Sequence, residues 1–275
     1  MTLYVVATPI GNLSDLTDRA RAAFADAALV VAEDTRRTRV LLNHVGLAEK
    51  PLRRLDAHAE AHTIDSVVDR LLNGDVVALA TDAGTPGVSD PGAALVRAAR
   101  DRGITVVPIP GASAVTTALS ASGYSFSSFR FVGFLPRAGT DRAKAIADVV
   151  AATDAVVLFE APSRLQATLK DLADAMPVRR GFVARELTKK HEQLVEDELP
   201  GLATRFASGE VLGEVTLVLA PWPGRSEAVS DEDVGLAIER LLASGMRPRE
   251  VAERVAIETG RSKREVYALV LAKKS

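Results

Sequence analysis

The chain has 275 residues, of which 47% are hydrophobic, and a formal net charge of −2. This length fits two or three domains with a large core, and the near-neutral charge gives no global attraction for nucleic acid, although a local basic patch is compatible with it. Without cysteine, disulfides, thiolate zinc sites and cysteine nucleophiles are excluded, and the absence of a signal peptide or an apolar run of about eighteen residues predicts a cytoplasmic protein with no membrane partner.

Short apolar, β-branched runs recur along the chain and predict buried strands. They are Leu3–Ala7, Ala28–Ala32, Val76–Ala80, Ile104–Val107, Arg130–Phe134, Ala155–Phe159, Gly181–Ala184 and Val215–Leu219. Segments with helical spacing lie between most of them, namely Ile64–Leu72, Ala93–Arg100, Ala143–Ala151 and Leu165–Ala173. Alternating strands and helices predict an α/β fold whose sheets are largely parallel.

Two interruptions of this pattern predict domain boundaries. The first lies at Gly123–Phe129, and the second at Pro221–Ser230, which is rich in proline, glycine and polar residues. We therefore predict α/β domains at 1–120 and 121–222 and a helical tail at 231–275. The tail should form helices near 231–243, 248–259 and 262–272 with helix-turn-helix spacing. It is interpreted either as a small packing bundle with a solvated face or as an RNA contact.

The common catalytic motifs are absent. The sequence has no GxGxxG after a strand, no GxxxxGK[ST], no HExxH and no GxSxG. An ordinary nucleotide-binding fold or hydrolase is therefore unsupported. Instead, glycine- and proline-rich turns follow four of the predicted strands, with the sequences TPIGN (8–12), TDAGTPGVSDPG (81–92), PIPGASA (108–114) and FEAPSR (159–164).

The loop at 81–92 is the strongest candidate for ligand contact. Asp82 lies just past a strand end, where open α/β sheets place ligand-binding groups. The glycines and proline of Asp82–Pro86 expose backbone groups that no helix or sheet satisfies. A tight connector is the alternative interpretation, and it suits Ser89 and Asp90, which could cap the next helix with Pro91 at its first position.

Charged clusters follow two further strands, at 33–37 (EDTRR) and 185–192 (RELTKKHE). A solvated helix start would explain either one alone, whereas both together suggest a polar cleft that faces a charged substrate. His58 and His62 have a spacing that could hold a metal on a helix, but no third ligand is in view. We therefore predict no metal site and interpret these histidines as surface or RNA-facing groups.

Nine motifs in order carry a resemblance to a known family. They are TPIGNLSD, AEDTRRTRVLL, the His58 segment, TDAGTPGVSDPG, PIPGASA, FVGFLPR, LFEAPSR, RELTKKHEQ and GEVTLVLAP. Together they resemble the RsmI-type ribosomal small-subunit methyltransferases, a branch of the tetrapyrrole-methylase-like fold, over about residues 3–222. The resemblance implies two α/β domains with mixed, mostly parallel sheets, a small C-terminal helical domain, and S-adenosylmethionine in the cleft between the α/β domains.

The same resemblance implies a substrate and a set of partners. The family works as a homodimer and methylates the ribose 2′-hydroxyl of a cytidine in the decoding region of 16S rRNA, on the assembled small subunit, and it does not act on DNA. Two alternatives stay open at this point. One is a porphyrinoid methyltransferase of the same fold, although those relatives carry a GDP-x-x-[FY]-G-like loop where this chain has DAGTPGVSDPG. The other is a non-catalytic RNA-binding or ribosome-assembly protein.

Family position predicts the residues that contact the cofactor, and side-chain chemistry predicts the proton acceptor and the RNA contacts. The cofactor contacts would be Pro9, Gly11, Asp82, Ala83, Gly84, Thr85, Pro86, Pro110, Gly111, Ser113, Ala114, Phe159, Glu160, Ala161, Arg185, Glu186, Gly213, Glu214 and Val215. The candidate proton acceptors are His58 and four carboxylates, which we favour: Asp82, Glu33, Asp34 and Glu186; the sequence does not choose among them. RNA contacts are predicted at Arg36, Arg37, His58, Lys189, Lys190, Arg261, Lys263 and Arg264.

Overall fold

The computed structural model describes residues 1–55, 61–88, 92–222, 231–243, 245–259 and 261–274. The strands in these ranges are β1 Thr2–Val6, β2 Leu29–Ala32, β3 Leu52–Arg54, β4 Val76–Ala80, β5 Thr105–Ile109, β6 Phe129–Phe134, β7 Ala155–Glu160, β8 Arg180–Arg185, β9 Gln193–Glu198 and β10 Val215–Leu219. The helices are α1 Asp18–Asp26, α2 Thr35–His44, α3 Ala61–Leu72, α4 Ala93–Asp101, α5 Ala114–Ala121, α6 Gly139–Ala151, α7 Leu165–Ala175, α8 Leu199–Arg205, α9 Asp231–Ala243, α10 Pro248–Thr259 and α11 Lys263–Lys274.

The chain forms two compact units. The first contains Met1–Thr117 and, from much later in the sequence, Glu186–Glu192. The second contains Ala118–Arg185 and Gln193–Ser275. The domain limits 1–120, 121–222 and 231–275 remain predictions, as does the placement of the cofactor between domains, and most of the predicted linker at 221–230 lies outside the described residues.

The first unit is built on a parallel five-stranded sheet with the strand order β3-β2-β4-β1-β5. Its central strands β2, β4 and β1 are apolar on both faces because helices cover both sides, which is the usual state of a parallel sheet. One face forms a core with residues of α3 and α4, and the other forms a core with residues of α1 and α2. Because all five strands run the same way, the loops that follow them emerge at one edge of the sheet.

The second unit contains a mixed sheet with the order β6-β7-β10-β8-β9. Strand β6 pairs with β7 in parallel, whereas β7–β10, β10–β8 and β8–β9 are antiparallel. One face packs against α6, α7 and α8 around residues such as Leu158, Leu169 and Leu217. The predicted α/β fold with mixed, mostly parallel sheets is thus confirmed, and the antiparallel pairs are confined to this sheet.

Two strands were missing from the sequence prediction, β3 and β9. Both lie at the edge of a sheet, where they have one neighbouring strand each. Their sequences, LRR and QLVEDE, carry charged residues, since such residues protect an edge strand against unwanted pairing. An apolar run therefore does not reveal these strands.

The tail contains three helices close to the predicted positions, with α11 beginning at Lys263 and ending at Lys274. They share a small core in which Val234, Val255 and Val266 are fully buried. No helix among the described residues has the length and apolar character needed to cross a membrane.

Arg179 is a buried hub of the second unit, with only 1% of its surface exposed. Its guanidinium donates to the carbonyl oxygens of Val149 (3.1 Å), Asp154 (2.9 Å) and Ala220 (2.9 Å). Burial lowers the pKa of Arg179 to about 10, so the group stays protonated at neutral pH. A single cation thereby links the ends of α6 and β10 to the start of β7.

Replacing Arg179 by methionine should lower the free energy of unfolding by about 3 kcal/mol, because three hydrogen bonds to buried or partly buried carbonyls, each worth about 1 kcal/mol, would be lost. Urea unfolding followed by the fluorescence of Trp222, the single tryptophan, measures the change. The neighbouring Arg180 is a matched control, since it is 53% exposed and pairs with Glu196 at the surface. Arg180→Met should lower the free energy of unfolding by less than about 1 kcal/mol. Equal decreases for both variants would contradict the role of Arg179 as a buried hub.

Candidate functional site

Three glycine- and proline-rich turns meet at the carboxyl edge of the first sheet. The N–H of Thr8 donates to the carbonyl of Gly84 (2.8 Å), and the N–H of Gly84 donates back to the carbonyl of Thr8 (3.0 Å). The hydroxyl of Thr85 donates to the carbonyl of Ala112 (3.2 Å). Because β4, β1 and β5 are neighbours in the sheet, the turns that follow them join into one surface.

Two glycines of this surface are required by its geometry. Gly84 has a φ of +81°, a conformation that other residues rarely adopt. A Cβ on Gly111 would lie 3.0 Å from the Cβ of Ala7, so a side chain there would push apart the turns after β1 and β5. The glycine content of these loops therefore follows from close packing of the turns as well as from any ligand.

The turns also present unused backbone donors. The N–H groups of Ala83, Thr85 and Gly111 donate to no acceptor in the part of the chain that the structure describes. Ala83 and Thr85 are half-buried and Gly111 is exposed. These donors can hydrogen-bond a carboxylate or the polar edge of a heterocycle. Pro110 lies beside them, and Ser113 precedes α5 and accepts the N–H of Thr117 at 2.9 Å.

Asp82 connects this surface to the end of β2. One carboxylate oxygen accepts the N–H of Asp34 (2.9 Å), and the other accepts the guanidinium of Arg37 (3.2 Å). Next to it, the hydroxyl of Thr81 donates to Glu33 (3.3 Å). The side chain of Asp82 is 22% exposed, so both of its oxygens are engaged while one face still reaches solvent.

Asp34 is held in its ionised form. It is the N-cap of α2, and it accepts the guanidinium of Arg36 at 2.7 Å and the N–H of the same residue at 2.8 Å. These hydrogen bonds, the side-chain bonds first, hold the pKa of Asp34 well below its usual range. Among the four candidate carboxylates, Asp34 is consequently a weak proton acceptor near neutral pH.

The segment Glu186–Glu192 completes the first unit by packing on the turn after β1. The N–H of Asn12 donates to the hydroxyl of Thr188 (3.0 Å). A Cβ on Gly11 would lie 2.5 Å from Cγ of Lys189, 2.7 Å from Oγ1 of Thr188 and 2.8 Å from the carbonyl oxygen of Leu187. Glycine is therefore the residue that permits this approach.

The same segment has a strained backbone. Glu186 and Thr188 have φ angles of +54° and +64°, which are unfavourable for non-glycine residues and most of all for a β-branched one. Residues with such strained backbones are found most often at functional sites, and they persist only where contacts with the surrounding structure stabilise them. Here the stabilising contacts include an ion pair between Lys189 and Glu186 (2.8 Å) and a hydrogen bond from the N–H of Thr188 to Glu192 (2.6 Å).

The predicted RNA contacts fall into separate places. Arg36 and Arg37, 90% and 57% exposed, follow β2 at the carboxyl edge of the first sheet, and the exposed Lys190 lies in the segment that packs on Gly11. Arg261, Lys263 and Arg264 lie instead in the tail, where Lys263 pairs with Glu253 at 3.0 Å. His58 lies outside the described residues.

The second unit brings its own predicted residues together. Strand pairing puts Glu160, Val215 and Arg185 in one row across β7, β10 and β8. Arg185 donates to Gln193 (3.0 Å) and to the carbonyl of Leu212 (2.8 Å), next to Gly213 and Glu214. Phe159 precedes Glu160 in β7, and Ala161 follows it.

Glu160 is part of an internal polar network. Its side chain is 1% exposed and pairs with Arg164 at 3.1 Å. It also accepts the hydroxyl of Thr168 (2.5 Å) and the N–H of Ala161 (2.8 Å). Its predicted contact with a cofactor remains a prediction, whereas its contacts within the second unit tie the end of β7 to α7.

Three residues that organise the site were missing from the predicted site residues: Thr8, Asn12 and Thr188. Thr8 is 3% exposed, and its hydroxyl donates to the carbonyl of Thr81 at 3.2 Å. A polar residue between a buried strand and a proline was the available signal for Thr8. Nothing local could identify Thr188, because its partner lies 176 residues earlier in the chain.

Comparison with known proteins gives a family match. The model of the tetrapyrrole (corrin/porphyrin) methylases matches residues 2–203. A protein of Neisseria meningitidis serogroup B named ribosomal RNA small subunit methyltransferase I is 41% identical, over 100% of this chain and 94% of that protein. Proteins of the same name from Mycobacterium bovis and Halalkalibacterium halodurans are 39% and 38% identical, over 98% and 97% of this chain and 94% and 93% of theirs.

Solved structures share the fold at low sequence identity. Diphthine synthase has a TM-score of 0.60 and 18% identity, over 81% of this chain and 91% of its own. The uroporphyrin-III C-methyl transferase of Thermus thermophilus, complexed with S-adenosyl homocysteine, has a TM-score of 0.56 and 18% identity, over 80% of this chain and 97% of its own. At these identities the likeness is one of fold.

Gly11→Ala should loosen the segment 186–192. The added methyl group would overlap that segment, at a cost of about 1–3 kcal/mol that corresponds to roughly five- to 150-fold faster amide exchange. Hydrogen exchange with mass spectrometry on the peptide that covers 186–192 measures it. Gly103→Ala is the control, because its φ of +70° also makes alanine unfavourable there, whereas nothing lies within 4 Å of the added methyl group and the residue precedes β5 at the opposite edge of the sheet. Unchanged exchange in Gly11→Ala would show that the segment does not depend on this contact.

Proposed function

The chain belongs to the ribosomal RNA small subunit methyltransferase I family, a branch of the tetrapyrrole methylases, and on that premise we propose that it methylates the ribose 2′-hydroxyl of a cytidine in the decoding region of 16S rRNA. It is an S-adenosylmethionine-dependent methyltransferase. The observation that carries the proposal is similarity along the whole chain, tail included, to relatives that carry this name. The assembled small subunit in the cytoplasm is the proposed substrate, and a homodimer is the proposed form of the enzyme.

The residues of the joined turns fit the cofactor. When bound, S-adenosylmethionine supplies a methyl group activated on a sulfonium, and its amino-acid, ribose and adenine parts offer polar edges. The unused N–H groups of Ala83, Thr85 and Gly111 suit the carboxylate and the base. Gly84, with a φ of +81°, allows the loop to adopt the turn in which the N–H groups on either side of it stay unused. The remaining proposed contacts in the first unit are Pro9, Gly11, Asp82, Pro86, Pro110, Ser113, Ala114 and Glu186.

Contacts from the second unit are proposed for the row of residues that β7, β10 and β8 align. They are Phe159, Glu160, Ala161, Arg185, Gly213, Glu214 and Val215. Glu160 is buried among its own partners, so its proposed part is to hold the backbone of Phe159 and Ala161 in place. Arg185 holds the loop before β10 through the carbonyl of Leu212.

Positioning is the main catalytic task of the protein in this proposal. Methyl transfer to a hydroxyl requires the reacting atoms to be aligned near contact distance, and fixed geometry supplies much of the rate. The hydroxyl proton must pass to an acceptor. Asp34 is poorly suited because its pKa is held low, which leaves Glu33, Asp82 and Glu186 as candidate acceptors.

RNA binding is proposed for the cations around the carboxyl edge of the first sheet, since phosphate contacts need positive charge irrespective of base sequence. They are Arg36, Arg37, Lys189 and Lys190, with Arg261, Lys263 and Arg264 of the tail as a further group and His58 as a proposed contact outside the described residues. No group of three or more histidine or acidic side chains that could hold a metal ion occurs within the described ranges.

Asp82→Ala should weaken S-adenosylmethionine binding by about tenfold or more. The carboxylate of Asp82 fixes the loop through a backbone N–H and an arginine, and loss of both contacts should reduce the binding free energy by more than about 1.4 kcal/mol. Isothermal titration calorimetry measures the affinity. Asp75→Ala is the matched control, since Asp75 also pairs with an arginine (Arg70, 2.7 Å) but precedes β4 instead of following it. Equal affinities for wild type and Asp82→Ala would remove Asp82 from the site, and no binding by the folded wild type would favour a non-catalytic RNA-binding protein.

Small ribosomal subunits from a strain that lacks the activity should receive one methyl group from labelled S-adenosylmethionine, on the 2′-oxygen of a cytidine. Nuclease digestion and mass spectrometry of the nucleosides locate the label, and protein-free 16S rRNA serves as the comparison substrate. Label on a base would contradict the ribose assignment. Label on protein-free RNA alone would contradict the assembled subunit as the substrate, and transfer to a porphyrinoid with none to RNA would favour the other branch of the fold.

A further inference from the structure

Phenylalanine is concentrated in one part of the second unit. Aromatic residues make up 4% of the chain, yet five of its eight phenylalanines fall at positions 126, 129, 131, 134 and 159. Two of them are largely exposed, with Phe129 at 45% and Phe134 at 56%. An exposed aromatic ring that packs against a second ring differs from the isolated apolar residues found on every protein surface.

Three of these rings form what we call the phenylalanine platform: Phe131, Phe134 and Phe159. The ring of Phe159 lies 4.9 Å from that of Phe131, edge to face, and 5.7 Å from that of Phe134. Strand pairing places Phe134 directly opposite Phe159, at the carboxyl ends of the parallel strands β6 and β7. The ring of Phe159, itself packed on Phe131, therefore supports Phe134 while more than half of the surface of Phe134 remains open to solvent.

The edge strand that carries the platform is poorly suited to pairing with another strand. β6 is the outermost strand of its sheet, and its register shifts between Phe131 and Gly133. Gly133 has a φ of +72°, and Pro136, which lacks an N–H, follows the strand. Bulges and prolines of this kind protect a sheet edge against strand addition. A planar ligand that stacks on the exposed ring fits this edge better than a second β-strand does.

A cation follows the platform at a short distance along the chain. Arg137 is exposed, and its guanidinium has no hydrogen-bond or ion-pair partner within the described ranges. Arg36, Arg37 and Lys189, by contrast, are each paired with a carboxylate. Three residues span at most about 11 Å of chain, so the ring of Phe134 and the cation of Arg137 can contact neighbouring parts of one nucleotide chain.

We propose that Phe134, supported by Phe159 and Phe131, stacks on an unpaired nucleobase of the RNA substrate while Arg137 contacts an adjacent phosphate. Single-stranded RNA is commonly recognised by stacking of splayed bases on aromatic side chains beside cations. The inference rests on the proposed RNA substrate and adds residues that bind it. Exposed aromatic surface at the carboxyl ends of β6 and β7 then has a function that packing within the chain does not require.

The test compares Phe134→Leu, which keeps the apolar volume without the aromatic face, with Phe134→Tyr, which keeps the face. We expect Phe134→Leu to bind a fluorescein-labelled oligocytidine of about twelve nucleotides at least fivefold more weakly, because base stacking on an aromatic ring is worth about 1–3 kcal/mol. Phe134→Tyr should bind within about twofold of wild type. Fluorescence anisotropy measures the dissociation constants, and the same ratios are expected for kcat/KM on small ribosomal subunits.

Phe129→Leu is the matched control, because Phe129 is an exposed phenylalanine at the other end of the same strand. Phe129→Leu should leave RNA affinity unchanged. Arg137→Ala should reduce the slope of log Kd against log salt concentration by about one, the value for a single phosphate contact. Wild-type affinity in Phe134→Leu would overturn the proposal. So would a change in sedimentation with Phe134→Leu, since it would place a second copy of the chain on the ring.

The two proposals fail in distinguishable ways. If the wild type transfers no methyl group to the small subunit, the proposed function is wrong, and the oligocytidine titration still decides whether Phe134 binds a base. If the wild type methylates RNA but Phe134→Leu does so with wild-type kcat/KM, the stacking inference alone is wrong.

Discussion

Two backbone hydrogen bonds between Thr8 and Gly84 hold the candidate site together. They join the turn after β1 to the loop after β4, and the hydroxyl of Thr85 adds the turn after β5. Parallel pairing makes this possible, because it brings the carboxyl ends of neighbouring strands to one edge. The segment that carries Thr188 then packs on the same surface through Gly11 and Asn12, so a stretch far away in sequence depends on the first turn of the chain.

This surface suits a reaction in which geometry matters more than a strongly perturbed side chain. Its carboxylates are engaged in fixed contacts: Asp82 orders Asp34 and Arg37, and Asp34 caps α2. The groups of this surface that remain without a partner among the described residues are backbone N–H donors instead. A methyltransferase needs an aligned hydroxyl and methyl donor, and a rigid surface of backbone groups and small residues meets that need.

The second unit shows that a polar residue at a strand end can serve the scaffold. Glu160 is buried with Arg164 and Thr168, and Arg179 is buried with three carbonyl groups as acceptors. At both positions several chain segments end with buried polar groups, and the charged side chain supplies the hydrogen-bond partners that these groups need. In sequence alone such residues look the same as ligand-binding ones. Phe134 is the opposite case, an apolar residue on the surface where a core residue was expected.

The sequence by itself determined the central strands, the tail helices and the glycine-rich turns, because buried apolar runs and turn residues leave local patterns. It also determined the family through the order of its motifs. The edge strands β3 and β9 escaped because their charged residues hide the pattern. Only the tertiary structure decided that Thr188 accepts a hydrogen bond from Asn12, that Arg37 pairs with Asp82 and that Glu160 is buried. Each of these depends on a contact between residues whose proximity arises from folding, and local sequence carries no record of such a contact.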